Sequence, residues 1–176
     1  MSAVTRPPNR LLQALPSAEY AQLHPLLETV ELTKETALAD AGAPVQRVYF
    51  PHAGVVSMMV NLSDGQSVEI ATIGRDGIVG ASAALHERPP LADAIVVVPG
   101  TASVMRAEDF REAANRSAEF RTLVALYEQA LMAQTQQSVA CNVSHPVEAR
   151  LSRWLLRARD LCGSEEIGRA SCRERV

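Results

Sequence analysis

The stretch DGQSVEIATIGRDGIVGASAAL, running from Asp64 to Leu85, decides the reading of the fold. Asp64-Gly65 tolerates the positive φ angles of a tight hairpin turn. After it, Val68, Ile70 and Thr72 alternate with Glu69, Ala71 and Ile73, which is the period-two pattern of a strand. Gly74, Gly77 and Gly80 follow at three-residue intervals. A backbone without Cβ atoms can turn sharply there, or approach a ligand or a neighbouring strand. The stretch predicts a small β-structure with a glycine-rich corner.

Working outward, Val30 and Leu32 alternate with Glu31 and Thr33 in a first strand. The runs Val45 to Phe50 and Val55 to Val60 are bounded by the turn-forming segments Ala41-Gly42-Ala43-Pro44 and Pro51-His52-Ala53-Gly54. Beyond the opening stretch, Ala94 to Val98 and Thr101 to Met105 read as two further strands joined at Pro99-Gly100. Roughly seven or eight short strands at such spacing predict an antiparallel sandwich or barrel, a jelly roll, rather than a βαβ sheet. At the N-terminus, Pro7-Pro8 cannot enter a helix interior, so Met1 to Asn9 reads as a frayed arm. Leu11, Leu12 and Leu15, then Tyr20, Leu23, Leu26 and Leu27, read as short helices, with Ser17 as an N-cap.

The character changes at Arg106. Ala107 to Ala114 is helical in composition, and Ser117 is placed to cap a longer helix with Glu119 near its positive end. Phe120, Leu123, Val124, Tyr127, Ala130 and Leu131 form one apolar stripe, and no Asp, Glu, Lys or Arg occurs between Glu128 and Glu148. A charge-free helix leaving a barrel predicts packing against a partner, and Ala130, Ala133 and Ala140 permit close approach. The other reading is that the helix covers its own barrel. The expected homodimer seam takes in Phe120, Leu123, Val124, Tyr127, Ala130, Leu131, Gln134 and Ser138.

His145-Pro146 opens a further helix whose expected apolar face is Val147, Leu151, Trp154, Leu155, Ala158 and Leu161. Arg150, Arg153, Arg157 and Arg159 fall largely off that face. Arg150, Arg153 and Arg157 are candidates for touching a nucleic-acid backbone; the alternative is a merely solvated face. Gly163 is a stop signal, and the aperiodic segment after it is expected to be disordered.

With 176 residues, 47% hydrophobic and 21% charged, the chain suits one well-buried core, or one domain with part of a second. A net charge of -3 provides no overall footprint for nucleic acid, so any DNA contact must be local. No apolar run approaches a membrane span and the start lacks a secretory signal, so no membrane partner and a cytoplasmic location are expected. Cys141, Cys162 and Cys172 lack CxxC spacing, and His24, His52, His86 and His145 form no HxH or HxxxH pair. Neither a metal site nor a cofactor is expected.

Taken in order, NRLLQALP, RVYFPHAGVVSMMV, DGQSVEIATIGRDGIVG, AEDF and PVEARLSRWLLRARD resemble the Crp/Fnr family of bacterial transcription regulators. The resemblance covers about Asn9 to Gly163. It implies a mainly β fold with α, a double-stranded β-helix or jelly-roll barrel of the cyclic-nucleotide-binding kind with N-terminal helices over 1–115. A long dimerisation helix over 116–145, the first helix of a winged-helix DNA-binding domain over 146–163 and an anomalous tail over 164–176 complete the expected organisation.

Two departures stand out. Family members that bind cyclic nucleotides carry a Gly-Glu pair for the ribose and an Arg-Ser or Arg-Thr pair for the phosphate. Here Gly80 is followed by Ala81, and the later window reads Pro89-Pro90-Leu91-Ala92-Asp93. Arg75 or Arg88 can substitute as the cation, and the backbone N–H groups of Gly80, Ala81, Ser82 and Ala83 can meet an anion. The missing pairs argue against cyclic AMP or cyclic GMP, leaving an unknown small-molecule effector. The N-terminal cysteines of the Fnr iron-sulfur branch are also absent.

The second departure is the tail, which stands where the family has its turn and recognition helix. A truncated reading frame or a natural fragment is expected, with specific DNA binding only in a full-length form. The leading expectation is thus the noncatalytic sensory and dimerisation part of such a regulator. The alternatives are a dominant-negative heterodimer partner lacking the recognition helix, and a metal-dependent cupin-like barrel enzyme.

Overall fold

The computed structural model describes residues 6–162; Gly163, Cys172 and the tail over 164–176 lie outside the described residues. Asn9 is fully buried and caps α1 (Arg10–Ala14), its side-chain oxygen accepting from the N–H of Leu11 at 3.1 Å and of Leu12 at 3.2 Å. The same side chain donates to the carbonyls of Pro51 and Gly77, both at 3.0 Å. The described part of the expected N-terminal arm is therefore anchored, a correction. Arg6 adds to it, donating to the Gln13 carbonyl at 2.8 Å and lying 5.0 Å from the Tyr20 ring centre. Ser17 does not cap α2 (Ser17–Leu23): Pro16 holds that position, and the Ser17 hydroxyl accepts from Arg6 at 3.1 Å.

The strands among the described residues are β1 (Glu28–Leu32), β2 (Ala37–Ala39), β3 (Arg47–Pro51), β4 (Val55–Asn61), β5 (Ser67–Ile73), β6 (Asp93–Val98) and β7 (Gly100–Arg106). They form two sheets, ordered β1-β7-β3 and β2-β6-β4-β5, with every pairing antiparallel. This is the jelly roll the sequence predicts. The opening stretch supplies β5, joined to β4 in a hairpin with Ser57 opposite Thr72 and Val60 opposite Val68. It then supplies α3 (Ala81–His86). Pro99 alone separates β6 in one sheet from β7 in the other.

Alternation sorts the side chains into two cores. Leu32, Val56, Ile73, Val79, Ala94 and Val96 fill one cluster, with Tyr49 packed against it. Val48 and Phe50, which flank Tyr49 on β3, join Leu12, Tyr20, Phe110 and Phe120 in the second, where the helices pack. Phe110 packs between the other two phenylalanines, tilted against Phe50 with ring centroids 6.2 Å apart and edge-on to Phe120 at 5.3 Å. Burying each such ring is worth about 2–3 kcal/mol. This fastens α4 (Ala107–Arg116) and α5 (Ala118–Ser144) to the barrel. Ser117 caps α5 as expected, accepting from the N–H of Phe120 at 3.0 Å.

After His145 the chain reverses into α6 (Val147–Cys162), which returns to the barrel. Ala158 and Leu161 are buried with Val55 in a small third cluster. Trp154 and Leu155 are half-buried, whereas Val147 and Leu151, expected on the buried face, are exposed. Two local features rotate the helix away from its simple apolar stripe. Gly74 leaves a dent filled by Leu161, and Asp76 draws Arg157 inward to a 2.7 Å ion pair.

Candidate functional site

The three glycines of the opening stretch serve three different ends. Gly80 takes the left-handed conformation, with φ 85°, at the N-cap of α3. Gly77 makes room for Tyr127, to whose Cε2 a Cβ there would come within 2.9 Å. Gly74 makes room for α6, since a Cβ there would lie 2.7 Å from the Cβ of Leu161. Two of them thus seat helices from later in the chain.

Around α3, the six residues expected to bind a ligand do not converge. Ala81 is buried with its methyl in the helix-side core, and Ser82 is exposed. Ala83 and Arg88 line a surface cleft of about 410 Å³ together with Glu87, Arg106, Glu108 and Arg111. Gly80, Ala81 and Ser82 do not line it, and neither does Arg75. Arg75 lies instead near Cys162, whose thiol burial pushes up, opposed by a bond from the Gly54 N–H and by the Arg75 charge.

The cleft residues Arg106 and Arg111, with Glu87 and Glu108, carry no spacing signal in the sequence; the junction of β7 with α4 brings them to α3. Arg111 pairs with Glu87 and donates to the Ala84 carbonyl at 3.1 Å, and Arg106 pairs with Glu108. In the window after α3, the Asp93 carboxylate accepts from Ala41 N–H at 2.7 Å and from the Asn61 amide at 2.6 Å, while Leu91 is exposed. Among the described residues, no group of three or more His, Cys, Asp and Glu side chains is placed to hold a metal ion.

The expected dimer seam needs correction. Phe120, Val124 and Tyr127 are buried in the chain's own core, and Leu123 and Leu131 pack against the same cluster. Gln134 accepts from the backbone N–H of Thr72 at 2.8 Å, and Ser138 accepts from Arg153 at 3.4 Å. Of the eight residues, Ala130 alone is exposed. The bulkiest apolar groups on α5 cover its own barrel, because that is where most area leaves water. The outward face still carries large apolar groups: Leu126 is 58% exposed, Met132 59%, Val139 54% and Val143 84%. Ala133 and Ala140 are exposed beside them.

The expected basic face is also turned inward. Arg157 pairs with Asp76, Arg153 reaches Ser138, and the Nε atoms of Arg150, Arg153 and Arg157 are all buried without a partner. The long aliphatic stem of arginine lets these residues pack where a shorter cation would not reach. Arg159 remains exposed together with Glu148, Ser152 and Asp160, and Val147, Leu151 and Leu156 stand exposed among them. No helix among the described residues is long and apolar enough to cross a membrane.

A two-sheet jelly roll that hands its chain through α4 to a 27-residue helix defines a barrel-plus-helix class of fold. Residues 29–117 match the cyclic nucleotide-binding domain, and the chain belongs to that family. Solved structures with the same fold include the c-di-GMP responsive global regulator CLP of Xanthomonas campestris, 13% identical with TM-score 0.65, where the match covers 86% of this chain and 74% of that one. A CooA mutant from Carboxydothermus hydrogenoformans is 15% identical with TM-score 0.58, covering 88% of this chain and 97% of that one. The catabolite activator protein of Thermus thermophilus is 20% identical with TM-score 0.56, covering 76% and 61% respectively. No curated protein matches the sequence.

Proposed function

We propose that this chain is the sensory and dimerisation portion of a Crp/Fnr-like bacterial transcription regulator, a noncatalytic protein of the cytoplasm that works as a homodimer. The observation that carries the reading is the outward face of α5, where Leu126, Met132, Val139 and Val143 stand exposed. The stretch between Glu128 and Glu148 holds no charged residue that would favour water there. A second copy laid along this face would bury it, with Ala133 and Ala140 permitting close approach. The seam is thus assigned to the side of α5 opposite Phe120, Val124 and Tyr127.

Regulation follows from linkage. An effector that prefers one arrangement of the barrel shifts α5 and α6, and through them any DNA-reading element beyond α6 in a full-length form. The effector is assigned outside the cyclic mononucleotides. Ala81 points a methyl into the core where a ribose-binding carboxylate is needed, and the window Pro89-Pro90-Leu91-Ala92-Asp93 after α3 holds no guanidinium for a phosphate. Specific DNA binding is likewise not assigned to the described residues: α6 is their last helix, and of its arginines Arg157 is paired with Asp76 and Arg153 reaches Ser138 on α5.

Sedimentation of the purified chain at micromolar concentration tests the dimer, and calorimetric titration with cyclic AMP and cyclic GMP tests the effector assignment. A dimer without saturable nucleotide binding is expected. A monomer overturns the seam, and stoichiometric binding of either nucleotide overturns the effector reading.

A further inference from the structure

We propose that α6 is a releasable latch on the sensory barrel, held by Trp154 on Glu69 and Arg157 on Asp76 and seated at Gly74, so that its docking reports the position of the loop between β5 and α3. This rests on the reading of the chain as a sensory portion, and it adds the device through which the barrel would control the chain beyond α6.

The seat is built into the barrel. Gly74 has no positive φ, so the turn does not demand glycine there. What demands it is Leu161, whose side chain occupies the space a Cβ would take. Around Leu161 the apolar contact is small. Ala158 and Val55 complete the buried cluster, with Val97, Val98, Trp154 and Cys162 partly buried against it.

Polar contacts supply the rest of the hold. The indole N–H of Trp154 donates to Glu69 at 3.3 Å, and the same carboxylate accepts from the hydroxyl of Ser57. Arg157 and Asp76 form their 2.7 Å pair with both side chains partly shielded from water. Against these stand the Nε–H groups of Arg150, Arg153 and Arg157, buried without acceptors, which the released helix would return to water. The outer surface of α6 is apolar in part, at Val147, Leu151 and Leu156, so the helix has a second face to bury elsewhere. These costs oppose the contacts that hold the helix, as release from a switch requires.

Asp76 connects the latch to the barrel. It sits in the loop that leads from β5 into α3. That loop is also held by Tyr127 through the Ile78 carbonyl, by Asn9 through the Gly77 carbonyl, and by the Arg10 N–H through the Arg75 carbonyl. A shift of α3 pulls on this loop and strains the Arg157 pair directly.

Trp154 is the chain's single tryptophan and reads the latch without labelling. The test compares the full chain with Glu69→Gln/Asp76→Asn and, separately, with Gly74→Val. Tryptophan emission, acrylamide quenching, hydrogen exchange and far-UV circular dichroism are followed. We expect emission to shift to the red and quenching to rise in both variants, with exchange in 147–162 about tenfold faster and the strands unchanged. Unchanged emission and exchange in the double variant overturns the proposal. So does global loss of structure in that variant, because the contacts would then belong to the barrel's stability and not to a separable latch. If Gly74→Val alone fails to fold, the double variant still decides. The readout is internal to one chain, so a failed latch and a failed dimer are told apart.

Discussion

The hydroxyl of Tyr127 donates a 2.8 Å hydrogen bond to the carbonyl of Ile78, tying the middle of α5 to the loop that enters α3. Burial of the phenol pushes its pKa up. Tyr127→Phe leaves the Ile78 carbonyl without its donor and should destabilise the fold by about 1–2 kcal/mol in urea unfolding. The pH dependence has a definite sign. The folded protein keeps the phenolic proton above the ordinary value of 10.0, where the unfolded chain loses it, so stability falls as pH rises past that value. The phenylalanine variant should lack this part of the alkaline loss.

Asn9 joins three elements through one side chain: it caps α1 and donates to Pro51 at the end of β3 and to Gly77 before α3. Asn9→Ala removes a cap and leaves two buried carbonyls unpaired, for an expected loss of about 2–4 kcal/mol by denaturant unfolding. Asn9→Asp should keep the cap but lose the donors and bury a charge, making it the worse substitution. Equal stability of the alanine variant and the parent would show that the segment is not an anchor.

His52 contacts the hydroxyl of Ser103 at 2.8 Å, and burial lowers its pKa below the ordinary 6.5. As pH falls below that value the unfolded chain takes up a proton that the folded one resists, so stability present at neutral pH is lost toward acid. His52→Gln should flatten this part of the urea midpoint's dependence on pH below about 6.5. An unaltered slope would place the acid sensitivity elsewhere.

The barrel was legible in the sequence because its signals are local. The Asp64-Gly65 turn, the alternation through Ile73 and the Ser117 cap each depend on a few neighbouring residues, and each appears where expected. The helix faces were less legible because they depend on distant parts of the chain. On α5 the absence of charge pointed to a partner, but the largest apolar side chains, Phe120, Val124 and Tyr127, are the ones its own barrel claims. On α6 a periodicity count placed Val147 and Leu151 inside and the arginines outside. The dent at Gly74 and the carboxylate of Asp76, both more than seventy residues upstream, reverse that order. Asn9 did carry a signal, since an asparagine before an apolar run is a common helix start, but the adjacent Pro7-Pro8 obscured it.

The central claim is that the uncharged outer face of α5 is where two copies meet, and sedimentation velocity on matched variants tests it most directly. Val139→Lys combined with Met132→Lys places two charges on that face, leaving Phe120, Val124 and Tyr127 untouched. The account predicts a dimer for the parent chain at micromolar concentration and a folded monomer, with unchanged circular dichroism, for the double variant. A monomeric parent, or a double variant that still sediments as a dimer, would contradict it.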